Sequence, residues 1–248
     1  MKIAKIIGPI LGIIGSLLFW AGISVLVNRP FLPGPDKALS ALIHLAENGS
    51  LYRHVHASFS RIFLSVLCSF VPAACIGILA GRHQWINHII SPVLYVFHPL
   101  PKATFLPVIM LFLGLGEISK IVLISLIIFS QILVTIRDAA KRIAEPLIDS
   151  VRSLGASRMN LLCDVIIPAL LPDMLSSLRV SSGTAIAVLF FSETFASESG
   201  LGYLIMDAWT RIAYAEMYGA IATLSAIGLM IFGFLDFLEW LLCPWLRN

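Results

Sequence analysis

Charge is what this sequence has least of. Charged side chains make up 12% of the 248 residues, hydrophobic ones 58%, and the mean hydropathy is +0.94. A water-soluble domain carries about a quarter charged residues. The shortage excludes a soluble globule and predicts an all-α integral membrane protein with one membrane domain over 1–248. The net charge of +3 is small and dispersed, which gives nucleic acid no basic stripe to bind. Cys68, Cys75, Cys163 and Cys243 stand singly, without metal-ligand or disulfide spacing. There is no GxxxxGK[ST] loop, so the chain binds no nucleotide by that device. No HExxH, Ser/His/Asp set or carboxylate pair marks an intramembrane enzyme, and no cofactor is expected on this chain.

Long apolar runs are what is there. A crossing takes about 20 residues of helix, and the runs predict six spans, near 7–27, 59–80, 89–113, 119–136, 175–196 and 218–242. Lys2 and Lys5 precede the first run, which is too long for the core of a signal peptide and is read as a retained span. Residues 29–57 and those between the last two spans read as polar connections. Ala73, Gly77 and Gly81 put a small residue at every fourth position of the second span, a pattern that lets membrane helices approach closely. Pro92, Pro99, Pro101 and Pro107 break the third, and such breaks persist only where protein or a cavity meets the freed backbone groups.

The exception to the shortage is 137–173, with ten of the 31 charged residues. Pro146 suits the first turn of a helix. Leu147, Val151 and Leu154 make an apolar stripe, Gly155 closes the helix, and Ser157 caps a second one. Leu161, Leu162 and Val165 would form that helix's apolar face, with its end before Pro168. Ten Lys/Arg fall on the side of this loop and of the termini, against five opposite, with Arg61 and Lys102 unassigned. The excess puts loop and both termini in the cytoplasm. Ionisable and hydroxyl positions within spans, His98, Lys102, Ser181, Ser182, Thr184 and Glu193, are candidates to line a pathway. Transport is the expected activity. A rigid loop without a nucleotide site points to a separate ATPase; a secondary transporter or channel is the alternative, although it would favour a matching broken helix in the second half.

Asp149-Ser150-Val151, Gly155 and Val165-Ile166-Ile167-Pro168 resemble, at the same spacing, the EAA motif of ABC-importer permeases. Phe31 to Pro35, Ser58 to Gly81, His98 to Ala103, Pro107, Gly114 to Glu117, and Ser192 to Tyr203 are similar to segments of the nitrate/sulfonate/taurine group. The resemblance implies a type I permease fold with a cytosolic coupling helix near 146–160, carried by Asp149, Ser150, Val151, Leu154, Gly155, Ala156, Ser157, Arg158 and Pro168. It implies a homodimer in a bacterial inner membrane, in contact with lipid. Two copies of a cytosolic ATPase would hold ATP and Mg²⁺. An extracytoplasmic binding protein would deliver nitrate, a sulfonate, taurine or a related molecule for alternating-access import.

Overall fold

The computed structural model describes residues 2–97 and 99–246, with the backbone alone for residues 2–7, 9 and 10. The described residues hold helices and no strand: α1 (Lys2–Val27), α2 (Pro35–Glu47), α3 (Ser50–Arg82), α4 (Gln84–Phe97), a 3₁₀ turn (Lys102–Phe105), α5 (Leu106–Leu113), α6 (Glu117–Arg142), α7 (Glu145–Ser153), α8 (Arg158–Asn160), a π turn (Leu161–Ile166), α9 (Ile167–Glu193), α10 (Leu201–Thr210) and α11 (Tyr214–Leu242).

Four helical runs among the described residues are long and apolar enough to cross a membrane: Ser50–Arg82, Glu117–Arg142, Arg158–Glu193 and Tyr214–Leu242. The proline-broken pair Gln84–Phe97 and Lys102–Leu113, bent by 81°, makes a fifth if it counts as one span. The apolar stretch Leu11–Val27 within α1 is shorter. The first expected span thus falls on α1 and the third on the bent pair.

Several expected boundaries move. The connection 29–57 is largely helical, because Pro35 sits in the first turn of α2, where its missing N–H goes unneeded, and α3 starts at Ser50. The connection after Glu193 contains α10, whose Leu201, Leu204, Ile205 and Ala208 are buried. Helix α6 runs on to Arg142, six residues into the expected loop, since Ala139 and Ala140 are buried on it.

The chain divides into two compact units, with divisions within α3, between α9 and α10, and within α11. The first takes the chain up to Ser58 together with Ser197–Ser225. Here the first N–H groups of α10, which a helix leaves without partners, are met by α3. Gly200 N–H donates to His54 Nδ1 (3.1 Å) and Leu201 N–H to Ser58 Oγ (2.7 Å). His54 also stacks on Tyr203, centroids 5.8 Å apart. Gly219 of α11 leaves room for Leu42 and the Ala38 carbonyl of α2.

The second unit takes Phe59–Ala196 and the chain from Ala226. Ile124, Ile128, Ile132, Ile136 and Ala140 recur every fourth residue on α6 with no exposed surface, and α6 packs on α9. The other flank of α6 meets α3. Ser65 Oγ–H donates to the Ile121 carbonyl and Ser125 Oγ–H to the Ser65 carbonyl, both at 3.2 Å. Further along, the expected small residues close the seam. A Cβ on Gly77 would stand 3.1 Å from Ile136 Cβ; one on Gly81 would overlap Ala140 Cβ and lie 2.7 Å from the Arg137 carbonyl oxygen. A backbone carbonyl cannot swing aside as a side chain does. Gly81→Ala is therefore expected to overpack the seam by about 1–3 kcal/mol, lowering the unfolding midpoint in detergent by roughly 2–10 °C. Gly233→Ala, whose Cβ meets nothing within 4 Å, is the control and leaves the midpoint in place.

Candidate functional site

Two regions of the second unit hold the expected functional residues. One is the charged loop. Helix α7 begins at Glu145 with Pro146 in its first turn and ends at Ser153. Gly155 then takes φ +83°, a left-handed conformation that costs an L-residue with a side chain about 1–2 kcal/mol. Its N–H donates to the Arg152 carbonyl at 3.0 Å. Ser157 caps α8, its Oγ accepting from Asn160 N–H at 3.2 Å.

The second helix does not stop before Pro168. It passes through the π turn Leu161–Ile166 into α9, giving one helical run Arg158–Glu193. Proline removes one helical N–H, and its ring crowds the carbonyl four residues back. A turn of wider hydrogen-bond register immediately before Pro168 accommodates both effects.

The stripe Leu147, Val151, Leu154 points the other way from the core. Ile148 is the buried residue of α7, 1% exposed, whereas Leu147 is 49% and Leu154 87% exposed. Val151 and Ala156 are half-buried, and Asp149, Ser150, Ser157 and Arg158 are exposed. The hydroxyl of Ser150 donates to the Pro146 carbonyl at 2.7 Å, and Asp149 accepts weakly from Arg152 at 3.4 Å. Pro168 is half-buried.

Sequence reasoning passed over the residue that holds this loop. The guanidinium of Arg82, at the end of α3, donates to the Ala140 and Ile143 carbonyls (3.4 and 3.3 Å) and to Glu145 (2.7 Å). One side chain thus covers the C-terminal carbonyls of α6, left unpaired by any helix end, and pins the start of α7. Arg142 bonds Asp173 of α9 at 2.8 Å.

The other region is a buried charge cluster. Arg61 of α3, 1% exposed, grips both oxygens of Glu117 at 2.5 Å through Nε and Nη2, and Glu193 at 2.7 Å through Nη1. Glu117 opens α6 with its side chain 57% exposed, while Glu193 ends α9 with none. Lys120, 2% exposed, lies one turn along α6 from Glu117. Forked Arg–carboxylate pairing is the strong form of this contact, and removing one partner from such a buried set costs about 3–5 kcal/mol. Lone cations at the edges of apolar runs were the available signal. The partners lie 56 and 132 residues from Arg61, beyond any local pattern.

Of the other candidates, Ser181 and Ser182 are each 2% exposed on α9, and the Thr184 hydroxyl donates back to the Val180 carbonyl at 3.5 Å. His98 lies outside the described residues. Lys102, 8% exposed, starts the 3₁₀ turn at the break in the third span, its N–H donating to the Leu100 carbonyl at 2.8 Å. Its side chain lines two hollows, of about 180 and 310 Å³. The structure joins Glu193 to Arg61 and places Lys102 at the broken span.

The family described as binding-protein-dependent transport system inner membrane component matches residues 73–248. The taurine transport system permease protein TauC of Escherichia coli (strain K12) is 31% identical, over 89% of this chain and 82% of that protein. The putative aliphatic sulfonates transport permease protein SsuC of Bacillus subtilis (strain 168) is 30% identical, over 90% and 80%. An inward-facing structure of the MetNI methionine ABC transporter shares the fold, with a TM-score of 0.67 at 20% identity over 77% of this chain and 95% of that one. By the family match over residues 73–248, more than half its length, the chain belongs to the binding-protein-dependent transport system inner membrane components, as an ABC transporter permease subunit.

Proposed function

We propose that this permease subunit pairs with a second copy to import a small anionic solute of the sulfonate or taurine kind, driven through α7 by a cytosolic ATPase dimer. The observation that carries the coupling reading is the outward apolar face of the turn. Leu154 and Met159, 87% and 66% exposed, stand in the most highly charged stretch of the chain. Contiguous exposed apolar surface is what a binding partner covers, and we read Leu154 and Met159 as part of such a surface. Asp149, Ser150, Val151, Gly155, Ala156, Ser157, Arg158 and Pro168 would shape that surface and its turn. The sulfonate reading rests on the two relatives, whose names assign them taurine and aliphatic sulfonates.

In this reading ATP and Mg²⁺ sit on the partner ATPase, and an extracytoplasmic binding protein delivers the solute. The chain takes the type I importer arrangement with six crossings in an inner membrane, α1 and the bent pair each supplying one, and both termini are cytoplasmic. The excess of Lys/Arg on the loop side supports that orientation. Closure of the ATPases moves α7. Arg82 passes the movement to α3 and α6, and the start of α6 and the end of α9 meet α3 at Arg61. His98, Ser181, Ser182, Thr184 and Glu193 are assigned to the passage or its gate.

Burying one leucine stabilises an interface by about 1.5–3 kcal/mol, so Leu154→Asp is expected to weaken binding of the ATPase roughly tenfold or more. Unchanged affinity in a pull-down titration would remove Leu154 from the interface. Gly155→Asp places a side chain in the left-handed turn; in proteoliposomes, solute transported per ATP hydrolysed should fall by about an order of magnitude while the complex still assembles. For the clamp, Arg82→Glu should uncouple in the same way, and adding Glu145→Arg should restore part of the coupling. A double variant no better than the single one would deny that the Arg82–Glu145 pair transmits force.

A further inference from the structure

Within the first unit, the turn from α1 to α2 and the turn from α10 to α11 enclose a hollow of about 810 Å³. Sites for small ligands span roughly 300–1,000 Å³. The charged groups on its walls are Arg29, Lys37 and Asp36, all exposed. Among the described residues, none of the three has a side-chain hydrogen bond or ion pair. Two cations and one carboxylate thus face one space without pairing to each other. Gly34 keeps room for the carboxylate, since a Cβ there would overlap Asp36 Oδ1 and lie 3.3 Å from Ser24 Oγ. Tyr214 adds a phenol hydroxyl.

Two further observations say what fits there. Ile212 follows α10 with φ +61°, a place that glycine fills without strain and a β-branched residue does not. Such strain gathers at ligand clamps, and here it holds an apolar side chain, 69% exposed, on the wall of the hollow. The second is the level at which the hollow lies. Trp20 stacks on Tyr218, centroids 5.6 Å apart, and its Nε1–H donates to the Pro33 carbonyl at 3.0 Å. Rings with a polar tip gather at the boundary between membrane and water. Val25 and Leu26, 78% and 85% exposed, carry the apolar surface of α1 up to the hollow, and Val25 lines it. Apolar side chains on one flank and charges on the other match the order of acyl chain and headgroup.

We infer that this hollow binds the headgroup of a zwitterionic phospholipid. Arg29, Lys37 and the Tyr214 hydroxyl take its phosphate, Asp36 takes its ammonium, and Val25 and Ile212 meet the start of its acyl chains. A lipid seated there fastens the end of α1 to the start of α2 and to the turn between α10 and α11. An oxoanion close to an ammonium is also the chemistry of a taurine-like solute, and the apolar flank favours the lipid. The inference goes beyond the import reading and takes from it only the orientation that places the hollow in the outer leaflet.

The test uses the full chain in dodecylmaltoside, stripped of lipid and titrated with phosphatidylethanolamine or phosphatidylglycerol, bound lipid being counted by native mass spectrometry. Phosphatidylethanolamine is expected to bind roughly tenfold more tightly, because the glycerol headgroup brings no ammonium to Asp36. Asp36→Asn should erase that preference. Arg29→Gln with Lys37→Gln should weaken both lipids roughly tenfold, whereas the charge-keeping pair Arg29→Lys with Lys37→Arg should bind as the parent does. Ile212→Gly relieves the left-handed residue, so it should loosen the lipid while leaving the unfolding midpoint at or above that of the parent, an outcome that a merely structural role would not give. Neither taurine nor O-phosphoethanolamine at millimolar concentration should displace the lipid. Displacement by either hands the site to a soluble zwitterion and overturns the lipid assignment. Affinity indifferent to Arg29→Gln with Lys37→Gln, or a preference indifferent to Asp36→Asn, overturns the site itself. The assay involves neither ATPase nor transport, so its failure leaves the import reading standing.

Discussion

A guanidinium buried among helices, 1% exposed, is tolerable only while its charge is answered. Arg61 is answered twice, by both oxygens of Glu117 and by Glu193. Desolvating these groups costs several kcal/mol per ion, so the cluster does little for net stability. Its effect is on specificity of arrangement, because the start of α6 and the end of α9 must both reach the same residue of α3. Of its members, Glu117 alone keeps a largely exposed side chain.

The opposite ends of the same helices are organised by contacts of another kind. Gly77 and Gly81 let α3 and α6 touch backbone to backbone, and dispersion between close surfaces is what holds membrane helices together when lipid is as apolar as their side chains. Arg82 then extends that rigid pair to α7. The run Arg158–Glu193 connects the loop to the charge cluster without a break: the π turn absorbs Pro168, and Glu193 is the run's final residue. The loop is thus joined to Arg61 along two helical paths, one through Arg82 and α3 and one through the run Arg158–Glu193.

Much of this is legible in the sequence wherever one residue type has one physical use. Gly155 is expected to end a helix and takes a left-handed φ; Ser157 is expected to cap and does; Gly77 and Gly81 are expected at a close helix contact and line one. The errors share a cause. Polar residues in 29–57 and after 193 suggest loops, yet helices α2 and α10 form there, α2 started by Pro35 and α10 with Leu201, Leu204, Ile205 and Ala208 buried within the first unit. The stripe Leu147, Val151, Leu154 is no such error: it lies on a helix as expected, and the fold adds that Ile148 takes the core while Leu147 and Leu154 stay exposed. Pro168 suggests a stop because local rules do not foresee a π turn.

Composition and period alone determined that the chain is helical, that it lives in a membrane, and that one charged segment interrupts its apolar runs. These follow from solvation of side chains and from backbone hydrogen bonding, both counted residue by residue. Tertiary structure decided which charges pair. Arg61 meets carboxylates 56 and 132 residues away, Arg82 reaches across to Glu145, and Lys102 comes to the walls of two hollows. Electrostatic partnership depends on distance through the fold and on the dielectric between groups, and neither can be read from position along the chain.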